Sequence, residues 1–287
     1  MAKFPLTLIA LASLSSITGI TFFKSNFALS VSTEAPLYAQ TRESPPLEII
    51  KGTDEDDNIV GKDIPILREY IYGYEGNDFI EGLSGREKLY GGRGNDEIHG
   101  GQSDDFIEGG AGQDLLYGDE GDDIISGDDQ YVHDSVQDAQ DDILVGGVGN
   151  DELYSRQGSD TLIGWGGDNN EVDFLQGSTN INHKTIFVLG NQESGVFYAQ
   201  NGSEDFAFIQ NFDDGNVIQL AGNPDDYELV EIVNRPRSVT LVGDVFGIVY
   251  KPTDDLIAIV QTYRFRQTVP DILNMNMADS DRFTFVD

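Results

Sequence analysis

The sequence predicts an all-β protein in two parts, a repetitive part over residues 52–177 and a mainly antiparallel β domain over residues 178–287. Three observations lead to this prediction. A nine-residue pattern of glycines, acidic residues and single aliphatic residues recurs along the first part. Short alternating apolar runs separated by turn formers follow Gly177, and such runs are typical of strands. The acidic excess behind the net charge of −34 is concentrated in 52–177, which hold 32 acidic and 6 basic side chains.

The register of the repeat can be followed along the whole first part. Blocks such as GGRGNDEIH and GGAGQDLLY have glycines early, an acidic residue at place six and Ile or Leu at place eight. The spacing is nine except for insertions of three, ten and four residues in the blocks that begin at Gly61, Gly127 and Gly164; the ten lie within QYVHDSVQDAQ. The blocks begin at Gly52, Gly61, Gly73, Gly82, Gly91, Gly100, Gly109, Gly118, Gly127, Gly146, Ser155 and Gly164.

Each block combines a turn with a short strand. Glycines permit positive φ, so the first six residues can turn sharply and aim several backbone carbonyls at one point. The place-six carboxylate adds a charged oxygen, and calcium prefers oxygen ligands of these two kinds. One aliphatic residue per block makes a core only when neighbouring repeats stack. The residues expected to point inward at place eight are Ile59, Ile80, Leu89, Ile98, Ile107, Leu116, Ile125, Leu144, Leu153 and Leu162.

These nonapeptides, of the form GGxGxDxUx, resemble the hemolysin-type repeats of the RTX (repeats-in-toxin) family. The resemblance implies a parallel, right-handed β-roll in which two nonapeptides make one coil and several Ca²⁺ ions lie between stacked repeats. It implies metal-binding turns that contain Gly73, Gly91, Gly94, Gly109, Gly112, Gly118 and Gly121. The carboxylate ligands that it implies are Asp57, Asp78, Asp96, Asp105, Asp114, Asp123, Asp142, Asp151 and Asp160.

Stacking of alternate repeats would sort the acidic residues into two columns. The block at Gly61 is interpreted as having no acid at place six, so Glu87 begins the second column and Glu87→Ala is expected to have little effect. The family pattern is also broken beyond Gly164. The odd column contains Asp57, Asp78, Asp96, Asp114, Asp142 and Asp160, and the even column contains Glu87, Asp105, Asp123, Asp151 and then Asn169.

Without calcium, the composition of the repeats favours disorder. Acidic, glycine-rich segments bury too little apolar surface to offset the entropy of ordering the chain. With calcium, the fixed period of aliphatic residues favours a folded roll, because a disordered linker requires no such period.

The N-terminal residues 1–39 predict a secretory signal, with a short positive start followed by FPLTLIALASLSSITGITFF. Cleavage near Ser30 or near Ala39 fits, and an uncleaved anchor is the alternative because the stretch is about long enough to span a bilayer. A cleaved signal would leave no membrane span in the mature chain and would place it outside a bacterial cell. Residues 40–51 are expected to form a linker. The chain has no cysteine, which excludes disulfides and a cysteine-linked lipid anchor.

The C-terminal residues 178–287 contain runs such as TIFVL, FAFIQNF, VIQL and LIAIV. These segments resemble the domain that closes RTX-type proteins of cyanobacteria, which implies a cap on the last coil of the roll. A cap is needed because terminal repeats otherwise expose their core. Trp165, in the last repeat, is expected to fill the junction.

The sequence contains no pattern for catalysis. Zinc proteases that carry such rolls need HExxH and a third histidine, and His99, His133 and His183 do not form it; no GxSxG occurs. Nucleic acid is excluded as a partner because the acidic chain would repel phosphates. The sequence therefore predicts a secreted, non-enzymatic calcium-binding protein of the cell surface or matrix, with a hydrolase whose site lies in 178–287 as an alternative.

A second alternative rests on the outward places seven and nine, which are partly apolar. The preference of strands for such residues accounts for them, but they also fit an adhesin that binds cell-surface polysaccharide or another surface protein. The residues are Phe79, Tyr90, Phe106, Leu115, Tyr117, Ile124, Ile143, Val145 and Tyr154.

Overall fold

The structure, a computed structural model, describes most of the chain after residue 45. The described residues are 46–128, 140–167, 171–180, 182–199, 205–213, 215–232, 244–262 and 276–286. The predicted signal over 1–39, the residues 129–139 that contain His133 and nearly all of the ten-residue insertion, and Asn169 lie outside them. Pro46–Asp287 form one compact unit. Among the described residues, no helix is long and apolar enough to span a membrane.

The repeat part is made of short strands, one for each block, and a further strand precedes the first block. The linker expected over 40–51 ends earlier than predicted, because LEIIK already forms the first strand and pairs in register with the third. The strands are β1 (Leu47–Lys51), β2 (Asn58–Val60), β3 (Arg68–Glu75), β4 (Phe79–Glu81), β5 (Lys88–Arg93), β6 (Glu97–Gln102), β7 (Phe106–Ala111), β8 (Leu115–Glu120), β9 (Ile124–Ser126), β10 (Ile143–Val148), β11 (Glu152–Tyr154), β12 (Thr161–Trp165) and β13 (Val172–Gln176).

The described C-terminal part consists of further strands, two 3₁₀ turns and the segments that connect them. Two 3₁₀ turns, Pro224–Asp226 and Met277–Asp279, are each N-capped by an asparagine. The strands are β14 (Ile186–Val188), β15 (Gly190–Asn191), β16 (Gly195–Val196), β17 (Phe206–Gln210), β18 (Val217–Ala221), β19 (Tyr227–Glu231), β20 (Asp244–Tyr250), β21 (Asp255–Thr262) and β22 (Phe283–Val286).

Successive repeat strands alternate between two parallel sheets. One sheet runs β1-β3-β5-β7-β9-β11-β13-β17-β21-β20-β19, and the other runs β2-β4-β6-β8-β10-β12-β14-β18-β22. Each coil therefore contributes one strand to each sheet, as two nonapeptides per coil require. The register is kept across the ten-residue insertion, since Leu116 pairs with Leu144. The predicted all-β fold with a parallel roll is confirmed.

The core is the space between the two sheets, and the place-eight residues fill it. All ten predicted residues are buried there, and Ile71 and Leu175 join them from the blocks with insertions. Full burial of such a side chain stabilises the fold by about 1.5–3 kcal/mol. Trp165 stacks on Phe197 with ring centroids 4.5 Å apart, so it lies against the C-terminal part as expected.

The C-terminal strands differ from the predicted mainly antiparallel arrangement. Among the described strands, the pairings of β12 with β14, β13 with β17, β14 with β18, β17 with β21 and β18 with β22 are parallel. Antiparallel pairing is confined to β15–β16 and to β19–β20–β21. The reason is continuity of the core: Phe187 stacks on Leu162 and Ile209 on Leu175, so the same two sheets extend past the last repeat.

Candidate metal centre

In the turns of the roll, residues with positive φ alternate along the chain with residues with negative φ. From Gly73 on, the second and fourth places of the fully described nonapeptides have positive φ, as at Gly110 (116°) and Gly112 (146°). The stacked turns lie so close that a Cβ on Gly112 would come 1.7 Å from the carbonyl oxygen of Gly94. Glycine is favoured at these places because it adopts positive φ and leaves room for the carbonyl above it. Positive φ also occurs there at Tyr74, Leu83, Ser103, Asp119 and Arg156.

The place-six carboxylates stack into the two columns that the sequence predicts. In each column, one carboxylate oxygen accepts the backbone N–H of the preceding place-six residue at 2.7–2.9 Å. In the odd column these acceptors are Oδ1 of Asp78, Asp96, Asp114, Asp142 and Asp160. In the even column they are Oδ1 of Asp105, Asp123, Asp151 and Asp173.

In seven of these nine carboxylates the second oxygen is buried and, within the described residues, accepts no hydrogen bond. A buried charged oxygen without a donor is costly, because its desolvation is uncompensated. A cation would supply that compensation. The atoms are Oδ2 of Asp78, Asp96, Asp105, Asp114, Asp123, Asp142 and Asp151.

Beside each of these Oδ2 atoms lies the first-place glycine of the same block. Oδ2 and a backbone carbonyl oxygen surround the position that a Cβ would take on that glycine, and this position is called the cradle. A Cβ on Gly91 would lie 2.2 Å from Asp96 Oδ2 and 2.6 Å from the carbonyl oxygen of Gly109. At Gly118 the corresponding atoms are Asp123 Oδ2 at 2.3 Å and a carbonyl oxygen at 2.4 Å. Carboxylate and carbonyl oxygens together are the ligand set of calcium, so these residues fit the ion.

Carbonyl ligands are necessary, because three or more His, Asp or Glu side chains do not converge on one point anywhere in the described chain. Calcium in this roll would be held by one carboxylate from each stacked turn and by turn carbonyls, including those of Gly73, Gly91, Gly94, Gly109, Gly112, Gly118 and Gly121. The assignment of these glycines and of the Asp residues as ligands stays a prediction.

Burial raises the pKa of the column carboxyls. Desolvation is the largest cause, and neighbouring carboxylates add to it. The pKa rises to about 6 for Asp96, about 7 for Asp114 and Asp123, about 8 for Asp151 and about 10 for Asp142. In the coupled pair of Glu87 and Asp105, both pKa values are raised for the same reasons. The columns therefore bind protons when no cation neutralises them.

Two members of the even column were missed or misplaced by the sequence interpretation. Glu69 supplies the acid of the Gly61 block, since it lies two residues before the core residue Ile71 and reaches the cradle at Gly61. Asp173, not Asn169, follows Asp151, because the four-residue insertion precedes it. Counting back from the inward aliphatic residue would have found both acids, whereas counting forward from the glycine did not.

The little effect expected of Glu87→Ala rests on Glu87 being the first acid of its column, and the position of Glu69 removes that reason. Glu87 has Glu69 as a predecessor, is 2% exposed, and its carboxyl group lies beside that of Asp105 in the same column. It is buried in the column like the aspartates, so Glu87→Ala is now expected to alter calcium binding.

Asp57 and Asp160 differ from the other predicted ligands. Their Oδ2 atoms already accept hydrogen bonds from protein hydroxyls, those of Thr53 and Ser155 respectively. The remaining titratable candidates are not part of the columns: His99 stacks on Tyr117 on the outer surface, and His183 accepts the N–H of Gly158.

Adjacent aspartates allow a matched test of the columns. Asp105 is buried in the even column, whereas the Asp104 side chain is 46% exposed and forms an ion pair with Arg86 at 3.0 Å. Asp105→Asn is expected to raise the calcium concentration at the folding midpoint by about tenfold or more, because a charged hydrogen-bonding or ligand group contributes about 1.5–3 kcal/mol. Asp104→Asn should leave it within about twofold, because exposed ion pairs contribute about 0–1 kcal/mol.

The measurement is a calcium titration followed by circular dichroism and by calorimetry. Equal shifts in the two variants would contradict the placement of calcium in the columns.

Comparison with known families agrees with this geometry. Residues 68–98, 99–131 and 138–171 match the profile of the RTX calcium-binding nonapeptide repeat (4 copies). No curated protein matches the chain. The match does not reach residues 172–287, so the resemblance of the C-terminal part to cyanobacterial closing domains stays a prediction. The stacked turns, the buried carboxylate columns and this match show that the chain carries, within residues 68–171, RTX-type nonapeptide repeats of the kind that bind Ca²⁺.

Proposed function

We propose that this chain is an extracellular, non-enzymatic calcium-binding protein whose repeats fold when calcium binds, and that it is a component of a bacterial cell surface or matrix. The supporting observation is the set of buried aspartate Oδ2 atoms that adjoin glycine carbonyls and accept no hydrogen bond within the described chain. Extracellular calcium modules bind at about 0.1–1 mM. Sites of that affinity are filled, and the repeats fold, only in a compartment where calcium reaches that concentration.

Two further points support the proposal. Proteins with RTX repeats are typically secreted, and the repeat region of this family is typically not enzymatic. The sequence has no metalloprotease or serine-hydrolase motif.

Cell fractionation tests this function. The full chain, produced in a bacterial host grown with about 2 mM calcium, a concentration above the affinity range of such modules, is expected in the medium or on the cell surface. A variant that lacks residues 2–39 should stay inside the cell. Chelator should release the surface-bound fraction or expose it to added protease. Retention of the full chain in the cytoplasm would contradict the proposal.

A binding module that uses the outer face is the second candidate, and one group of contacts favours it. Tyr72 and Tyr90 stack nearly parallel, with centroids 4.9 Å apart. The Lys88 ammonium lies 5.5 Å from the ring centroid of Tyr70 and 5.4 Å from that of Phe106. Aromatic and cationic groups on one flat sheet suit cell-surface polysaccharide or another surface protein. Calcium-dependent retention on isolated cell-wall polysaccharide, weakened by Tyr90→Ala, would favour this candidate, and no retention of the parent would count against that ligand.

A further inference from the structure

The two carboxylate columns end where the next positions in register hold residues without a carboxylate. Beyond Asp160 the register places Thr185 next, two residues before the core residue Phe187. Beyond Asp173 it places Ala207, which pairs with Asp173 directly. The sheets therefore extend past the last carboxylates, and the ends of the columns can be compared with their interiors.

The last carboxylate of the odd column has a hydroxyl partner. Ser155 Oγ donates to Asp160 Oδ2, and both residues are completely buried. Ser155 occupies the first place of its block, where every other block has glycine. At glycines such as Gly91 and Gly109 a Cβ would lie 2.2 and 2.4 Å from Oδ2, so no side chain fits beside that oxygen, whereas here a serine side chain adjoins it.

At the last carboxylate of the even column, a different residue donates its hydroxyl to the same carboxylate oxygen, Oδ2. Tyr198, only 1% exposed, donates from its hydroxyl to Asp173 Oδ2 at 2.5 Å. Tyr198 comes from the C-terminal part, so the residue type and the origin of the donor differ from those at Asp160, while the acceptor atom is the same.

The first carboxylate of the odd column repeats the arrangement. Asp57 Oδ2 accepts the N–H of Thr53 at 2.6 Å and its hydroxyl at 2.9 Å. The interior aspartates from Asp78 to Asp142 and from Asp105 to Asp151 lack such a donor in the described part of the chain. Three of the four column ends therefore have a hydroxyl donor, whereas at the fourth Glu69 Oε2 accepts the N–H of Lys62 at 2.8 Å and Oε1 has no partner among the described residues.

After Asp160 the column continues in neutral form. Asn216 Oδ1 accepts the N–H of Thr185 at 2.8 Å, which is the same bond that the aspartates make, now without a charge. A neutral amide needs no cation, so the sheets can extend into the C-terminal part without further ions.

We propose that the hydroxyls of Ser155 and Tyr198 terminate the calcium-binding columns. A hydroxyl proton directed at Oδ2 satisfies the oxygen that would otherwise face the ion, and the hydroxyl group occupies part of the cradle. Calcium is confined to the interior carboxylates, and Asp160 and Asp173 do not bind it. This inference rests on the proposed calcium-dependent folding and determines where along the chain that dependence stops.

The test counts the ions bound per full-length chain. Equilibrium dialysis against about 10 mM calcium, well above the affinity range of such modules, followed by atomic absorption, gives the count. Asp160→Asn is expected to leave the count unchanged, whereas the matched interior variant Asp142→Asn should lower it by at least one. A fall in the Asp160→Asn count equal to that of Asp142→Asn would overturn the inference.

A gain of binding gives the complementary test. Ser155→Gly restores the residue that the other blocks carry and should add one ion, and Ser155→Gly/Asp160→Asn should return to the parental count. Ser155→Ala keeps a Cβ in the cradle and should add none. Ser178→Gly, which removes a buried hydroxyl that donates to the Arg156 carbonyl at 2.7 Å, is the control for loss of a hydrogen bond alone.

The outcomes separate this inference from the proposed function. A parent that binds several ions, together with a Ser155→Gly variant that binds the same number, would overturn the termination by Ser155 and leave calcium binding intact. A parent that binds no ion would overturn the proposed function itself. If Ser155→Gly does not fold, the comparison of Asp160→Asn with Asp142→Asn decides.

Discussion

Removal of calcium at pH 8 is expected to abolish the β structure of the repeat region. Seven aspartates of the columns bury an oxygen that has no donor among the described residues. Two carboxylates about 4 Å apart repel by about 4 kcal/mol at an effective dielectric constant near 20. Each block buries one aliphatic side chain, worth about 1.5–3 kcal/mol, while ordering its backbone costs about 1–2 kcal/mol per residue. The hydrophobic core alone therefore cannot hold the roll together.

Calcium reverses this balance by mass action. At about 10 mM calcium, a site with a dissociation constant of about 0.1–1 mM adds about 1.4–2.7 kcal/mol to stability. Several such sites act on the same fold. Circular dichroism of the full chain, in excess chelator and then in calcium, measures the change.

Two ions serve as controls for this experiment. Magnesium at the same concentration should substitute poorly, because it keeps its water and requires a small octahedral site. Sodium at matched ionic strength tests charge screening alone. Full β structure in chelator at pH 8 would show that the buried carboxylates are compensated in some other way.

Acid is expected to replace calcium in part. In chelator, lowering the pH from 8 to about 5 should restore β structure, because the raised pKa values mean that the folded state holds protons that the unfolded state releases. The pKa in the folded state is about 7 for Asp114, about 8 for Asp151 and about 10 for Asp142, against 3.8 for an unperturbed aspartate. Each group thus contributes stability that is fully present below pH 3.8 and is lost as the pH rises through its folded pKa.

The same protons compete with calcium for the folded chain, so the calcium concentration that half-saturates its sites should rise as the pH falls from 8 to about 6. Asp142→Asn provides the matched variant: a neutral side chain should stabilise the calcium-free form at pH 8 while lowering the number of bound ions. Dichroism at several pH values, with and without chelator, follows the β structure, and equilibrium dialysis follows the bound calcium. A chelated protein that is as disordered at pH 5 as at pH 8 would contradict the raised pKa values.

The repeat alone was sufficient to predict most of the roll. The nine-residue period identifies the inward residues, such as Leu116 and Leu144, because stacking makes every block equivalent. It also predicts glycine in the turns, since their positive φ values are a local property of the backbone. Within uninterrupted blocks, the column members Asp96 and Asp114 follow from the same period.

Other features depended on contacts between segments distant in sequence. Insertions shift the count within a block, so only stacking shows that Glu69 and Asp173 take the place-six position. Alternating apolar residues have the same period in parallel and antiparallel strands, so the direction of β17 and β18 was decided by continuity of the core. The pairing of Tyr198 with Asp173 joins residues 25 positions apart. Nothing in the local pattern marks Tyr198 as a partner, because only the folded chain brings its hydroxyl to the end of the column.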